Sequence, residues 1–323
     1  MNNAMAEDIR FYDHHPAPAD FFTEVLDGLR RQQPAIPPKF FYDAEGSRLF
    51  DAICSLPEYY PTRTEMQILR EHAKSIAACI DTECMLIEPG SGSSEKVRVL
   101  LEALRPHAYM PMDISKEHLV KAAQRVSNDF PWLDVHAACV DFTGPMVLPY
   151  RAEGVKNVAF FPGSSIGNFE HSDAVKFLAN VRALLGEEGG LLIGVDLKKE
   201  PAVLNAAYND ARGVTAAFNL NLLTRINREL DADFDREQFR HHAFYNEHHG
   251  RIEMHLISEV DQTVTVAERK FTFNAGDSIH TENSYKYSIN DFRALAAEAG
   301  FAPVSVWTDD DALFSVHYFE TVF

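Results

Sequence analysis

Between residues 85 and 196 the apolar positions come in short blocks whose period changes in a regular way. Met85-Leu86-Ile87 is a continuous apolar run, as a strand buried on both faces requires. It passes through Glu88-Pro89-Gly90-Ser91-Gly92 into Val97, Leu100, Leu101 and Leu104, spaced for one face of a helix. The change repeats downstream. A strand around Tyr109–Met112 ends in Asp113 and feeds a helix with Leu119, Ala122, Ala123 and Val126. A third strand, Val135–Val140, ends in Asp141-Phe142, and a fourth, Val158–Phe161, ends in Pro162-Gly163-Ser164-Ser165-Ile166-Gly167-Asn168-Phe169. A helix with Phe177, Leu178, Val181, Leu184 and Leu185 then leads to a fifth strand, Leu191–Val195, ending in Asp196. Alternation of this kind predicts an α/β fold with a doubly wound parallel sheet.

The flanks read differently. Helical stripes at Phe21, Phe22, Val25, Leu26 and Leu29, and at Leu69, Ala73, Ile76, Ala77 and Ile80, precede the first strand. After Asp196 a long helical stretch, Val203–Leu230, gives way to strand-like runs at Ile252–Ser258 and Thr263–Phe273. The sheet pattern then resumes: Ser288-Ile289-Asn290-Asp291 can cap a helix carrying Phe292, Leu295, Ala296 and Ala299. Val304–Thr308 and Leu313–Phe319 read as two antiparallel strands. The expected organisation is a sheet domain over 62–197 and 287–323, a second lobe over 19–61 and 198–286, and an N-terminal arm over 1–18.

Composition narrows the function. The formal net charge of -18 makes a nucleic acid a poor partner, because non-specific affinity for a polyanion needs a basic surface. Cys54, Cys79, Cys84 and Cys139 form no C-x-x-C pair, and no apolar run reaches the length of a membrane span. The N-terminal stretch lacks a basic and then apolar leader, so a cytoplasmic protein is expected.

The chemistry sits at strand ends. Glu88, Asp113 and Asp141 close consecutive strands, where open α/β sheets bind ligands. A carboxylate after the second strand suits a ribose diol, and Phe142 beside Asp141 would flank an adenine. Each Asp alone is more readily a helix cap or a solvated loop residue, but together, in register on successive strands, they favour a site. The turn is Gly-x-Gly-x-Ser and lacks the third glycine of a dinucleotide turn. That pattern suits a nucleoside with an amino-acid tail, and S-adenosylmethionine is such a cofactor, its sulfonium matched to an acidic site.

Motifs outside the sheet carry a more specific signal. They are Phe41-Tyr42-Asp43-x-x-Gly46-Ser47-x-Leu49-Phe50-Asp51, the run from Leu56 to Glu65, Ala207-Tyr208-Asn209-Asp210, and His280-Thr281-Glu282-Asn283-Ser284-x-Lys286-Tyr287. With Glu88-x-Gly90-Ser91-Gly92 and the Phe161–Phe169 run, they resemble the histidine-specific Nα-methyltransferases of ergothioneine biosynthesis over nearly the whole chain. The resemblance implies a class I (Rossmann-like) methyltransferase fold, with antiparallel C-terminal strands and a second, substrate-binding lobe. It implies S-adenosylmethionine as methyl donor, no metal, and L-histidine as a substrate taken through three methylations to the trimethyl betaine hercynine. It also implies roles. Glu282 and Ser284 would hold the imidazole beside Met254. Asn168 and Tyr208 would bind the α-carboxylate. Tyr42, the candidate catalytic residue, would lie near the amine, with Phe50 lining the pocket. Tyr59, Gly90, Lys96, Asp113, Asp141 and Phe142 would contact the cofactor. The family's Gly-Gly-Thr is here Gly163-Ser164-Ser165.

Other readings are weaker. His241-His242 and His248-His249 near Glu247 invite a metal, but adjacent histidines on a strand point apart, and no His-x-x-x-His or Cys partner completes the set. Gly163-Ser164-Ser165-Ile166-Gly167 matches Gly-x-Ser-x-Gly without a placed histidine or acid. A methyltransferase for another amino acid or amine, and a cofactor-binding regulator without turnover, are the alternatives. The expected protein is a monomer acting on small molecules.

Overall fold

The structure is a computed structural model, and it describes residues 9–14, 21–80, 84–92, 94–141, 144 and 147–322. The chain opens with β1 (Arg10–Asp13), α1 (Phe21–Leu29), α2 (Ala44–Cys54) and α3 (Tyr60–Ile80). It continues through β2 (Cys84–Pro89), α4 (Glu95–Leu104), β3 (Ala108–Asp113), α5 (Lys116–Asp129), β4 (Asp134–Cys139), β5 (Lys156–Phe161), α6 (His171–Leu185) and β6 (Gly190–Asp196). Next come α7 (Pro201–Tyr208), α8 (Val214–Leu230), β7 (Phe239–Asn246), β8 (Arg251–Ser258), β9 (Gln262–Val266), β10 (Arg269–Phe273) and β11 (Ser278–Tyr285). The chain closes with α9 (Ile289–Glu298), β12 (Phe301–Thr308) and β13 (Phe314–Thr321). Contacts divide it into two compact units, one of residues 1–17, 64–197 and 287–323, the other of 18–63 and 198–286.

The first unit is built on an eight-stranded sheet in the order β1-β4-β3-β2-β5-β6-β13-β12. β2 to β6 run parallel, and β13 enters antiparallel between β6 and β12. All six residues of β2 are buried, as expected for a strand covered on both faces. Leu86, Tyr109, Val135, Val158 and Leu192 from the five parallel strands share one core cluster with Val97 and Leu101 of α4 and Leu119 and Val126 of α5. Each such side chain contributes roughly 1.5–3 kcal/mol through burial. Helix α9 starts as its sequence indicates: Ser288 Oγ accepts from the Asp291 amide and Asp291 accepts from the Ser288 amide.

The expected arm over 1–18 contains a strand. β1 pairs in parallel with β4 from Arg10↔His136 to Asp13↔Cys139, and the Tyr12 hydroxyl lies 3.0 Å from His136 Nδ1. Four residues with two aromatics carry too little periodicity to announce a strand. No helix joins β4 to β5 among the described residues.

The second unit holds the helices α1, α2, α7 and α8 with a three-stranded antiparallel sheet, β11-β8-β7, and a β9-β10 hairpin. The helical stretch expected over Val203–Leu230 is two helices. Asp210 breaks it, because its carboxylate accepts from the Val214 and Thr215 amides and starts α8 afresh. β7 and β11 escape the hydrophobic pattern because their faces carry histidines, Glu282, Asn283 and Ser284.

Candidate active site

In the first unit the turn after β2 presents backbone at the carboxyl edge of the sheet. Gly90 and Gly92 have φ of 69° and 51°, values that favour glycine, and open space surrounds the position a Gly92 side chain would take. Asp113, closing β3, accepts from the Gly92 amide at 3.2 Å and from Ser115 at 2.8 Å, so one carboxylate orders the turn and the start of the next helix. Glu88 closes β2 and is buried. Its carboxyl pKa rises to about 8, chiefly through desolvation, and it accepts a hydrogen bond from Tyr109, whose hydroxyl also reaches Ser94 at 3.1 Å. Asp141 lies just past β4 and is half-buried; Phe142 lies outside the described residues.

A second carboxylate shapes the turn after β5. Glu65 of α3, with a side chain 0 % exposed, pairs with Lys96 Nζ at 2.6 Å and accepts the Gly163 amide at 2.9 and 3.0 Å. It fits only because position 194 of β6 is glycine: a Cβ there would stand 2.0 Å from Glu65 Oε1. Ser164 takes a left-handed conformation (φ 58°), which costs a non-glycine residue roughly 1–2 kcal/mol. Its Oγ accepts the Asp196 amide at 2.9 Å, so the hydroxyl offsets part of that cost. Ser165 is exposed and donates to the Pro162 carbonyl, 3.3 Å away. Asn168 ends the short helical turn Ser165–Asn168 in this same unit.

In the second unit the chain motifs turn out to be supports for the residues beside them. Asp43 caps α2 by accepting the Gly46 amide at 2.7 Å, and also takes Asn221 and Arg228 of α8, each at 2.8 Å. These bonds hold its carboxyl below the ordinary range against the opposing effect of burial. A side chain at Gly46 would collide with the Phe41 carbonyl at 1.8 Å, which explains the spacing of Asp43 and Gly46. Tyr42 is thereby fixed with its ring edge-on to Phe50 and Phe218, at 5.6 and 5.9 Å. Tyr208 ends α7. Its carbonyl lies 2.9 Å from His241 Nε2, while Asn219 Nδ2 is 2.9 Å from His241 Nδ1. The amide donor fixes the tautomer: Nδ1 accepts and Nε2–H donates to Tyr208. Burial lowers the His241 pKa, so the ring stays neutral.

Phe50, Tyr59, Tyr208, Phe218, Met254 and Glu282 line a cleft with about 280 Å³ of empty space. Met254 and Glu282 are directly paired across β8 and β11. The Glu282 carboxyl rises to about 7 because burial penalises its charge, with the Lys286 ammonium opposing the shift. Tyr42 is 44 % exposed, yet its hydroxyl is pushed upward by the surrounding protein and by Glu282, so it is a neutral phenol at physiological pH. Ser284 is buried and accepts from the Tyr208 hydroxyl at 2.8 Å and from Lys286 Nζ at 2.7 Å. On the opposite face of the sheet Glu253, His255 and His280 converge. Arg251 is engaged with the Glu253 carboxylate at 2.8 Å, and His280 Nε2 lies 3.1 Å from the Glu282 carbonyl, so the cluster is an ion-paired network.

The chain matches the model of the histidine-specific, S-adenosylmethionine-dependent methyltransferases over residues 21–321. A histidine N-alpha-methyltransferase of Mycolicibacterium smegmatis is 41% identical over 293 residues, 88% of this chain and 90% of the relative. The chain belongs to the histidine-specific methyltransferases. Ergothioneine biosynthesis protein 1 of Neurospora crassa is 33% identical over 307 residues, which cover 87% of this chain and 32% of that one. Among solved structures, the CcbJ methyltransferase from Streptomyces caelestis is 13% identical, with a TM-score of 0.46 over 79% of this chain and 89% of that one.

Setting aside the edge strand β1, the sheet of this family member, five parallel strands followed by the antiparallel hairpin of β12 and β13, is that of the class I methyltransferase fold. The expected residues separate by unit. Gly90, Lys96, Asp113, Asp141 and Asn168 belong to the first; Tyr42, Phe50, Tyr59, Tyr208, Met254, Glu282 and Ser284 belong to the second. Tyr59 lines the same cleft as Glu282, and its neighbour Tyr60 is buried with its hydroxyl taking Lys199 Nζ at 2.6 Å. Sequence reasoning gave no role to Glu65, Asp43, His241 or Lys286. Asp43, Glu65 and Lys286 all stand inside recognised motifs, but an acidic residue beside a turn reads as a cap and a lysine two residues after a serine reads as a solvated face.

Proposed function

We propose that the protein transfers methyl groups to the α-amine of L-histidine, three in succession, yielding hercynine for ergothioneine biosynthesis. S-adenosylmethionine, when bound, supplies an electrophilic methyl on a sulfonium. The open Gly92 turn, the Asp113 carboxylate, Gly90, Lys96 and Asp141 fit its nucleoside and amino-acid ends, and these residues would hold it. The observation that carries the substrate is Glu282 and Ser284 at alternate positions of β11, on the face that Met254 shares. Ligands without ring nitrogens would leave that buried polar pair unmatched.

In this reading Asn168 binds the α-carboxylate and Phe50 and Met254 pack on the side chain, while Tyr208, whose single hydroxyl proton goes to Ser284, lines the cleft rather than donating to the carboxylate. Tyr42, neutral at working pH, hydrogen-bonds the amine and orients its lone pair; it does not serve as a phenolate base. Most of the acceleration comes from alignment, the amine nitrogen being held about 3 Å from the methyl carbon. The amine's proton passes to water in this reading, since Tyr42 is a neutral phenol and Glu282 is taken up by the ring N–H. The protein is read as a cytoplasmic monomer acting on small molecules without nucleic acid. Its charge of -18 and the lack of any membrane-length apolar helix among the described residues support that reading.

The test is mass spectrometry of the purified protein incubated with S-adenosylmethionine and each of the twenty amino acids. Gains of one, two and three methyls on histidine are expected, sharply reduced in Glu282→Ala at histidine concentrations below its raised KM. Methylation of tryptophan or another amine in place of histidine overturns the substrate.

A further inference from the structure

Glu282, Ser284 and Lys286 stand at every second position along β11 and its first continuation, so their side chains share one face. The Lys286 backbone stays in register, its amide donating to the Gly250 carbonyl at 2.9 Å. Its side chain is 2 % exposed, deep burial for an ammonium, and its Nζ donates to Ser284 Oγ at 2.7 Å and reaches Tyr208 Oη at 3.3 Å. Tyr208 in turn donates to Ser284 Oγ at 2.8 Å. A serine hydroxyl has two acceptor lone pairs and one proton. Both lone pairs of Ser284 are therefore engaged, one by Lys286 and one by Tyr208.

We infer that Lys286 is a positioning residue for substrate selection: it fixes Ser284 as a donor only, so that the pocket accepts the neutral imidazole in a single tautomer. Ser284 presents its proton to the unprotonated ring nitrogen, and Glu282 receives the N–H of the other. An imidazolium, with two N–H groups, would find no acceptor at Ser284 and would face the Lys286 charge. This inference rests on histidine being the substrate.

The experiment uses the full-length protein with histidine and the pyrrol-2-yl and pyrrol-3-yl alanines, which keep a ring N–H but lack the acceptor nitrogen. Wild type is expected to prefer histidine by about 10- to 100-fold in kcat/KM, the range for a hydrogen bond within a charged network. Ser284→Ala and Lys286→Met should each raise the KM for histidine by a similar factor and shrink that preference equally. The double variant should be no worse than either single, because the two act as one unit. Binding of S-adenosylhomocysteine should be unchanged. Lys286→Gln, which keeps a donor and removes the charge, serves as the second variant and replaces Lys286→Met if that protein does not bind S-adenosylhomocysteine.

Losses that multiply in the double variant, or a preference for histidine untouched by both Lys286 changes, would overturn the inference. Either result leaves histidine methylation standing. Absence of wild-type turnover on histidine removes the substrate reading itself.

Discussion

The two units offer ligands different kinds of surface. The first works through backbone: left-handed glycines at the end of β2, free space at Gly92, and carboxylates that order the turns. The second works through side chains set at alternate strand positions and enclosed by aromatic rings. A backbone surface tolerates many side-chain changes and recognises what every ligand of the fold shares. A side-chain surface is rewritten by one substitution, so under the proposed function selectivity between amino acids would belong there.

The sharpest test of that division removes a backbone requirement. Gly194→Ala should drive Glu65 off Lys96 and Gly163, costing about 3–5 kcal/mol as a buried pair is broken, read as a fall in the urea midpoint. Next comes a side-chain loss. Glu282→Ala should raise the KM for histidine about 10- to 100-fold with S-adenosylhomocysteine affinity unchanged, measured by steady-state kinetics and calorimetry. If cofactor affinity falls equally, the division is broken.

Asp113→Asn should do the converse, weakening S-adenosylhomocysteine about tenfold and leaving the histidine KM at saturating donor unaltered. The pH dependence sharpens the same point. Glu282 has its carboxyl raised to about 7, so its ionised fraction grows as pH rises from 6 to 8, and the KM for histidine should fall over that window. Besides burial, the group acting on it is Lys286, which lowers its pKa, and Glu282 in turn raises the hydroxyls of Tyr42 and Tyr59. Glu282→Gln should leave only the substrate imidazole titrating, near its ordinary value of about 6.5. The sign for stability is opposite to that of a salt-bridged carboxylate. The folded state retains the proton longer than the unfolded chain, so this group lowers the stability of the unliganded protein as pH climbs from about 4.5 to 7. The smallest effect is expected at Ser164→Gly, where relief of the left-handed backbone and loss of the Asp196 amide bond nearly cancel, within about 1 kcal/mol in the same denaturation assay.

What sequence makes legible follows the same line. The parallel strands and their helices announce themselves because burial on both faces forces continuous apolar runs, and Asp113 stands at the end of β3 as the alternation implies. β11 stays hidden because its alternate positions are the polar residues a ligand would need. The motif around Tyr42 is recognisable as a pattern, but its cause is not: Asp43 is retained to join α2 to α8, a contact between positions 178 and 185 residues apart. Lys286 is invisible for a related reason. Burial of a lysine depends on what surrounds it, and the Tyr208 that meets it lies 78 residues away.

Gly194 also constrains how this chain can change over time. The space above it belongs chiefly to Glu65, with the Phe314 ring 3.0 Å from a Cβ there, so a side chain can enter position 194 only in a lineage that has first shortened or lost that carboxylate and in which the ring gives by a few tenths of an ångström. The order of the two substitutions is thus imposed by geometry. A saturation library at position 194 should return glycine alone while Glu65 is present, and admit alanine or serine once Glu65 has been truncated.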